Sequence, residues 1–536
     1  MTEQGRRRRG VPLYLLLGCL AVIATWVAVA TRWVPFGVPG QWVWRPQLLA
    51  PLLLTGEAAA ALMASLVVAA SVAALALLKP QLRRTHVAAS LVALATASLC
   101  LCLSLVSMEP PIPDAFRALR GADPWHRPAR ERLAINIGAI MFSDVAFAYY
   151  NEAAQIPDVG EFLRNYEQRI RAPETPQRVQ THPAGAVLVP WLLRKGARGI
   201  GGKALLQAAM GPEPWKSTVH FLRRATGRWL SEDECAAALM VALVLIAFGP
   251  GLCLPTYLLA RQVGNRQRAL MSAAMVTFVP SSLLFVPGID QLVALLGALA
   301  LWLFCLGMRG GRVWAMAGAG VLLALDCFIS IGAGSLAVLA AVIALAPVVA
   351  SWRRKEARRR AARRAAVGIG ILLAGLLLPL MTLWPVCGYN AFEVALTAAA
   401  QQRAIVVEQW QRTYSAWLML NLVDFAVFLG PCVAVCAVSW LVGRLRRWDA
   451  GHAILRSDFL LVAFAVTLAL VDLSGSARAE VGRIWMLLMP CACILAARRV
   501  GNHPHTHASL FAFVVVVLQV LHTVVLQQNL DVMTPQ

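Results

Sequence analysis

Residues 141–160 read MFSDVAFAYYNEAAQIPDVG and lie in the one long region of the chain, Ser107 to Glu232, that is not membrane-apolar. Apolar runs flank this region on both sides. Loops carry function because they can hold polar side chains that the apolar spans of a membrane protein exclude. We therefore predict that this region holds a site at one face of a membrane.

The composition of the whole chain indicates a membrane protein. Of its 536 residues, 59% are hydrophobic and only 14% are charged, whereas soluble domains carry roughly 25% charged residues. Mean hydropathy is +0.65. The net charge of +22 comes from short basic clusters beside apolar runs, a pattern typical of loops that face anionic lipid. We predict membrane lipid, and no nucleic acid, as a partner.

About 13 apolar runs approach the roughly 20 residues that a membrane-spanning helix needs. The predicted fold is therefore all-α and polytopic, with about 13 transmembrane helices. The stretch 313–351 is compatible with one helix or with two. The predicted spans are 12–33, 48–78, 86–107, 233–260, 269–286, 288–308, 313–330, 333–351, 366–386, 416–443, 457–474, 484–498 and 507–526.

The basic clusters predict the topology, because Lys and Arg favour the cytoplasmic side of a membrane. Arg6 to Arg9 place the N-terminus inside, and Arg83-Arg84 follow the second span on the same side. The third span then leaves the cytoplasm, so the loop 108–232 faces outward. We predict a multi-pass protein of a bacterial inner (plasma) membrane with its site on the extracytoplasmic side.

One segment of this loop, Val187 to Leu193, is apolar enough to resemble a span. If it crossed the membrane, the basic residues 261–268 would lie outside, against the charge rule. It is also too short to cross. We predict a helix lying along the membrane surface, and Leu133 to Ala154 is a second candidate for such a helix.

Asp144 is the candidate catalytic residue. It lies between apolar neighbours, Met141-Phe142 and Val145 to Phe147, and partial desolvation there would raise the pKa of its carboxyl group. Such a carboxylate suits a general base that takes a proton from an acceptor hydroxyl. The alternative is a helix cap. Tyr149 and Tyr150 either cover a sugar ring or sit at the headgroup level of the membrane.

Further polar residues map to the same outer side as candidate substrate-binding groups. His182, before Pro183, would lie beside exposed backbone amides at a helix start, where a phosphate could bind; loop punctuation is the alternative. Arg478 and Arg483 suit a lipid phosphate, although Glu480 and Arg483 are also spaced for a structural ion pair. No cluster of metal ligands stands out. The remaining candidates are Glu152, Asp158, Asp290 and Asp424.

The order of these elements resembles the GT-C superfamily of membrane glycosyltransferases, which includes the protein O-mannosyltransferases and the lipid A aminoarabinose transferases. The resemblance rests on Asp144 with Tyr149-Tyr150, on His182-Pro183, and on Tyr257-Leu258-Leu259-Ala260-Arg261. This chain has a single Asp144 where a paired Asp-Glu is common in the family. It also carries two spans ahead of the core.

The resemblance implies a polyprenyl-phosphate-linked sugar as donor and a glycan, lipid or protein as acceptor. It implies an inverting transfer that is metal-independent or loosely dependent on a divalent metal, with Asp144 as the base. The domains would then be 1–85, holding two extra N-terminal transmembrane helices; 86–351, a GT-C-like core with the extracytoplasmic loop 108–232; and 352–536, the C-terminal transmembrane helices.

Two other functions fit a chain of this composition. A multi-span transporter or lipid flippase would carry polar groups at mid-membrane depth, and Asp326 is the main acid within a span. A catalytically inactive scaffold of the same fold is the third alternative. Because most polar residues lie in the outer loops, the sequence favours the enzyme.

Overall fold

The computed structural model describes residues 12–31, 37–38, 41–46, 56–78, 82–108, 129–351, 354–445 and 459–531. Within these ranges, seven helices are long and apolar enough to cross a membrane, or eight if one bent pair counts as a span. The chain is thus a multi-pass membrane protein. The predicted count of about 13 spans is not confirmed, because several of the predicted runs form shorter helices.

Helices of the membrane region make up most of the described chain. They are Leu13–Thr31, Gly56–Leu78, Arg84–Ser107, Glu232–Gly251, Cys253–Val263, Arg266–Thr277, Pro280–Leu284, Asp290–Gly310, Val313–Ile329, Ser335–Ala350, Lys355–Cys387, Tyr414–Leu429, Pro431–Leu445, Phe459–Leu473, Met489–Val500 and His505–Asn529. The stretch 313–351 therefore forms two helices, joined by the 3₁₀ turn Ile331–Gly334.

Shorter helices build the polar loops. They are Ala129–Met141, Ala148–Ala154, Val159–Arg164, Tyr166–Arg171, Gln177–Gln180, Gly185–Gly199, Gly202–Met210, Pro212–Thr226, Ala391–Arg403, Val481–Ile484 and the 3₁₀ helix Met486–Leu488, with a π-helical turn at Ala404–Gln409. Two small antiparallel sheets pair Gly37–Val38 with Trp42–Val43, and Arg45–Pro46 with Leu530–Asp531.

Several predicted elements are broken in the structure, including the span 269–286, which forms the helices Arg266–Thr277 and Pro280–Leu284. The predicted span 416–443 is two helices that meet at an angle of 115°, because Gly430 takes φ 98° and Pro431 cannot continue the hydrogen-bond ladder of the helix before it. The predicted surface helix Leu133 to Ala154 is broken into two by the turn 142–147. This turn carries Asp144.

The apolar segment after His182 forms the helix Gly185–Gly199, which has 15 residues. A helix that crosses a membrane needs about 20 residues, so this helix is too short. The next helix of the membrane region begins at Glu232, where the Ser231 side chain accepts a hydrogen bond from the Glu234 amide at 3.1 Å. Three acidic residues follow in its first turn. A serine cap and acidic charge both stabilise the positive end of a helix.

Close helix contacts in the membrane region depend on small residues. A Cβ atom added at Gly320 would come within 2.3 Å of the Leu372 carbonyl oxygen, and one at Gly375 within 2.5 Å of the Ala317 carbonyl oxygen. The helices Val313–Ile329 and Lys355–Cys387 therefore touch backbone to backbone. Such contacts hold helices together in lipid, where apolar burial gives little driving force.

Candidate functional site

A cavity of 1320 Å³ opens among the loops and helix ends that join the helices of the membrane region. Its size suits a large ligand rather than a single ion. Its wall is both charged and apolar. The charged and titratable residues that line it are Asp144, Glu174, Arg178, His182, Asp290, Arg403, Arg412, Arg478, Glu480 and Arg483.

Asp144 lies in the turn 142–147 at the wall of this cavity. The side-chain amide of Asn151 donates to Oδ1 of Asp144 at 2.7 Å. The other oxygen, Oδ2, lies 3.7 Å from a guanidinium nitrogen of Arg228. The Asp144 side chain is 50% exposed, so it is less buried than its apolar neighbours predicted. One oxygen is thus oriented by Asn151, and the carboxylate stays accessible from the cavity.

The wall beside Asp144 comes from the short helix Gln177–Gln180 and the residues after it. The Nε atom of Arg178 donates to the carbonyl oxygen of Val145, which connects this cation to the turn that carries Asp144. Nδ1 of His182 lies 2.9 Å from the Arg178 carbonyl oxygen. The ring of Tyr149 packs edge-on against His182, with 5.4 Å between the ring centroids.

Burial lowers the pKa of His182 to about 4, an effect that the charge of Asp290 opposes and that of Arg483 reinforces. His182 is therefore neutral at neutral pH. A neutral imidazole that is protonated at Nδ1 can donate a hydrogen bond to the Arg178 carbonyl oxygen. Its other nitrogen, Nε2, can then accept a hydrogen bond from a ligand.

Because the pKa of His182 is lower in the folded chain than in the unfolded chain, we expect the folded state to lose stability as the pH falls from about 6.5 towards 4. The loss should reach at most about 3 kcal/mol. Thermal unfolding in detergent at a series of pH values would measure it. A His182→Gln variant should show a shallower decline over this range, and equal slopes for the two proteins would contradict the prediction.

Another part of the wall is the loop 477–483, which has an uncommon backbone. Ala479 and Glu480 have φ values of 73° and 58°, a conformation that non-glycine residues adopt rarely and at some cost in energy. The Asn421 side chain holds this loop, donating to the Ala477 carbonyl oxygen at 2.9 Å and accepting from the Ala479 amide at 3.2 Å. The strain is thus maintained by the helix Tyr414–Leu429.

Glu480 is the centre of a group of ion pairs. Its carboxylate lies 3.0 Å from a guanidinium nitrogen of Arg483 and 3.6 Å from one of Arg412. Arg483 also lies 3.8 Å from Asp290. Burial would raise the pKa of Glu480, but the guanidinium groups around it hold that pKa below its usual value. Glu480 is therefore ionised at neutral pH.

Among the residues that the structure describes, arginines outnumber the carboxylates close to Glu480. Burial lowers the pKa of Arg412, and burial followed by repulsion from Arg483 lowers that of Arg178. The two acidic residues of this group, Glu480 and Asp290, lie close to these arginines. Arg478 lines the same cavity. A bound anion would add negative charge to this group, and planar guanidinium groups suit phosphate oxygens.

The cavity wall also has apolar parts. These parts are the turn after the helix Val313–Ile329, the π-helical turn Ala404–Gln409 with the following Trp410, and the chain around the 3₁₀ helix Met486–Leu488. A π-helical turn is rare and often marks a functional site. The cavity therefore offers a cationic region and an apolar region side by side, which suits a ligand with an anionic head and an apolar chain.

Six of the predicted site residues line the cavity: Asp144, His182, Asp290, Arg478, Glu480 and Arg483. Tyr149 lines a small pocket of 30 Å³, just large enough for a water molecule, which shares Arg178, Asp290, Glu480 and Arg483 with the cavity.

Four predicted site residues make other contacts. The Tyr150 hydroxyl donates to Glu234 at 2.8 Å, and Glu152 forms an ion pair with Arg169. Asp158 caps a helix by accepting from the Glu161 amide at 2.6 Å. Asp424 accepts from the Gly482 amide at 3.0 Å. Each of these side chains has a partner within the protein, and none of them lines the cavity. Their role in substrate binding stays a prediction.

The sequence analysis missed Asn151 and Arg178. Arg178 lies four residues before His182, so the two can share one face of a helical turn, and this spacing could have revealed it. The contact of Asn151 with Asp144 has no comparable signal, because it spans a turn whose geometry the sequence does not specify.

Among the residues that the structure describes, no three His, Cys, Asp or Glu side chains converge to hold a metal ion.

No protein-family model and no curated protein sequence matches this chain. Two similar solved structures are of the Archaeoglobus fulgidus oligosaccharyltransferase, a GT-C glycosyltransferase. The one tethered to an acceptor peptide with an NVT sequon is 12% identical, with a TM-score of 0.37, over 76% of this chain and 56% of that chain. The one with Zn and sulfate is 13% identical, with a TM-score of 0.34, over 72% and 53%.

This chain thus spans little more than half the length of the solved chain that it matches. At 12–13% identity, these solved structures do not define the substrate or the mechanism of this chain.

Proposed function

We propose that this protein is a membrane glycosyltransferase that moves a sugar from a polyprenyl-phosphate donor to an acceptor on the extracytoplasmic side, with inversion at the anomeric carbon. One observation carries the proposal: a single cavity contains an accessible carboxylate, Asp144, a group of arginines, and an apolar wall. These are the three features that such a donor and its reaction require.

The arginine group suits the phosphate of the donor. Arg178, Arg412 and Arg483 are at least partly buried, and desolvation strengthens their attraction for an anion. The apolar wall around Met486–Leu488 then takes the first isoprene units of the lipid. This division also explains why the cavity lies beside the membrane region, since the remainder of a polyprenyl chain stays in lipid.

The transfer step forms one bond and breaks one. The acceptor hydroxyl oxygen attacks the anomeric carbon of the sugar from the face opposite the phosphate. The bond between that carbon and the phosphate oxygen breaks, and its electron pair leaves with the polyprenyl phosphate. Asp144 takes the proton of the hydroxyl, which requires it to be ionised before the reaction. The arginines stabilise the charge that develops on the leaving phosphate.

The proposal is tested by reconstituting the purified protein in liposomes with a series of polyprenyl-phosphate sugars, each labelled in the sugar. We expect release of polyprenyl phosphate with at least one donor, and transfer of the label to an acceptor added outside. If no donor is turned over while a fluorescent lipid analogue crosses the bilayer, a flippase is the correct function.

Asp326 is the observation that favours a transporter. It is fully buried within the helix Val313–Ile329, and neither carboxylate oxygen has a hydrogen-bond partner among the described residues. A carboxyl group inside a membrane segment is costly and often marks a pathway for ions or substrates.

If the protein is a glycosyltransferase, an Asp326→Leu variant should transfer sugar within about twofold of the wild type. It should also unfold at a higher temperature, because an unsatisfied buried polar group costs about 1–3 kcal/mol. Transfer assays and thermal unfolding measure the two effects. If this variant instead loses function while remaining folded, Asp326 belongs to a transport pathway and the enzyme proposal is weakened.

A further inference from the structure

Residues 41–46, between the first two helices of the chain, reach into the protein beside the cavity. We call them the 41–46 segment. Arg45–Pro46 pairs with Leu530–Asp531 near the C-terminal end of the chain. The Trp44 side chain is buried, at 5% exposure. This burial requires a reason, because a short loop between two helices can usually lie on the surface.

Trp44 contacts the loop that carries Arg483 through one carboxylate. Its indole nitrogen donates to Oδ1 of Asp424 at 2.7 Å, and the other oxygen of Asp424 accepts from the Gly482 amide at 3.0 Å. Gly482 directly precedes Arg483. The carboxylate thus bridges the 41–46 segment and the backbone next to a cavity arginine, with both of its oxygens engaged.

Aromatic packing reinforces this bridge. The ring centroid of Trp44 lies 4.8 Å from that of Phe428 and 5.8 Å from that of Phe285. A Cβ atom added at Gly482 would come within 2.4 Å of the Phe428 ring, so the loop lies directly on these aromatic rings. Trp44 also lines the 30 Å³ pocket together with Arg178 and Arg483.

Gln41 of the same segment contacts the second loop that carries a cavity arginine. Its side-chain oxygen accepts from the Thr413 amide at 2.8 Å, and its side-chain nitrogen donates to the Thr413 hydroxyl at 3.2 Å. Thr413 directly follows Arg412. Two side chains of the 41–46 segment, three residues apart, therefore each fix the backbone beside one arginine of the cavity.

We infer that the 41–46 segment is a part of the donor site: Trp44 and Gln41 are positioning residues that hold Arg483 and Arg412 in the arrangement that binds the donor phosphate. The inference rests on the proposed function, which it extends to the N-terminal part of the chain. Neither residue needs to touch the donor. Each acts by reducing the number of conformations available to an arginine-bearing loop before the phosphate arrives.

The test is a Trp44→Phe variant, which keeps an aromatic ring in the core but removes the indole N–H. The matched control is Trp26→Phe. Trp26 also donates its indole N–H across the protein, to Nδ1 of His522 at 3.0 Å, but it does not line the cavity. Each substitution therefore removes one hydrogen bond that an indole N–H donates from the N-terminal part of the chain.

Binding of polyprenyl phosphate, without any sugar, to the purified full-length protein in detergent is the first measurement. We expect Trp44→Phe to weaken this binding about tenfold, which corresponds to about 1.4 kcal/mol, and Trp26→Phe to leave it within twofold of the wild type. Adding Gln41→Ala to Trp44→Phe should weaken binding further. Equal binding by Trp44→Phe and Trp26→Phe would overturn the inference.

Hydrogen exchange separates this inference from the proposed function. The amides of 479–485 and 411–414 should exchange faster in the variant carrying both Trp44→Phe and Gln41→Ala, and at the wild-type rate in Trp26→Phe. That result supports the positioning role whatever ligand the cavity binds. If the wild type fails to bind polyprenyl phosphate, the proposed function is wrong, whereas unchanged exchange shows that the 41–46 segment does not hold the loops.

Discussion

An Asp144→Asn variant is expected to lose sugar transfer by about 10²–10⁴-fold, the contribution typical of a general base. A carboxamide has the same shape as the carboxylate but cannot take the proton of the acceptor hydroxyl. The Asp144 side chain is half exposed, so this substitution should not unfold the protein. Binding of polyprenyl phosphate should stay within a few-fold of the wild type, because Asp144 does not hold the phosphate.

The matched control is Asp233→Asn, which removes one carboxylate from an exposed position in the first turn of a helix outside the cavity. It should transfer sugar at the wild-type rate. Single-turnover transfer, started with donor already bound, measures the chemical step directly. If Asp144→Asn transfers at a rate within threefold of Asp233→Asn, another group is the base.

An Asn151→Ala variant tests whether the hydrogen bond that orients the Asp144 carboxylate contributes to transfer. Asn151 orients Asp144 through one hydrogen bond, so its loss should reduce the rate by less than the loss of the base itself. A rate between those of the wild type and Asp144→Asn is expected in the same single-turnover assay. A rate equal to that of the wild type would show that this hydrogen bond does not affect transfer.

The sequence predicted several of the residues that line the cavity. Asp144, His182 and Arg483 could be identified because each is a polar residue next to apolar sequence on the predicted outer side. Tyr150 and Glu152 looked equally suitable, but each is engaged by a partner in another element. Local sequence cannot reveal such a partner, since Glu234 lies 84 residues beyond Tyr150.

For the helices too, features set by neighbouring residues were predictable, whereas contacts between residues far apart in the sequence were not. Hydropathy predicted where the apolar helices occur. The pair Gly430-Pro431 is a local signal for a helix break, although the span 416–443 was predicted without one. In contrast, the contact between Trp44 and Asp424 joins residues 380 positions apart. Nothing in the residues around Trp44 distinguishes it from a tryptophan at the membrane surface.

Arg483→Gln should weaken the binding of polyprenyl phosphate by about 10–100-fold, since a hydrogen bond to a charged group contributes about 1.5–3 kcal/mol. Removing Arg483 also leaves Glu480 and Asp290 with less opposing positive charge. The carboxylates then repel the phosphate, in addition to the loss of the arginine itself. Isothermal titration with the wild type and the variant measures the change.

Glu480→Gln distinguishes phosphate binding from a purely structural ion pair. Both substitutions break the contact between Glu480 and Arg483, and both should lower the unfolding temperature, because breaking a buried pair is costly. Their effects on binding should differ in sign. Removing the carboxylate leaves Arg178, Arg412 and Arg483 with more unbalanced positive charge, so Glu480→Gln should bind polyprenyl phosphate at least as tightly as the wild type. If both variants lose binding in proportion to their loss of stability, the arginines only maintain the fold of the loop, and the donor phosphate binds elsewhere.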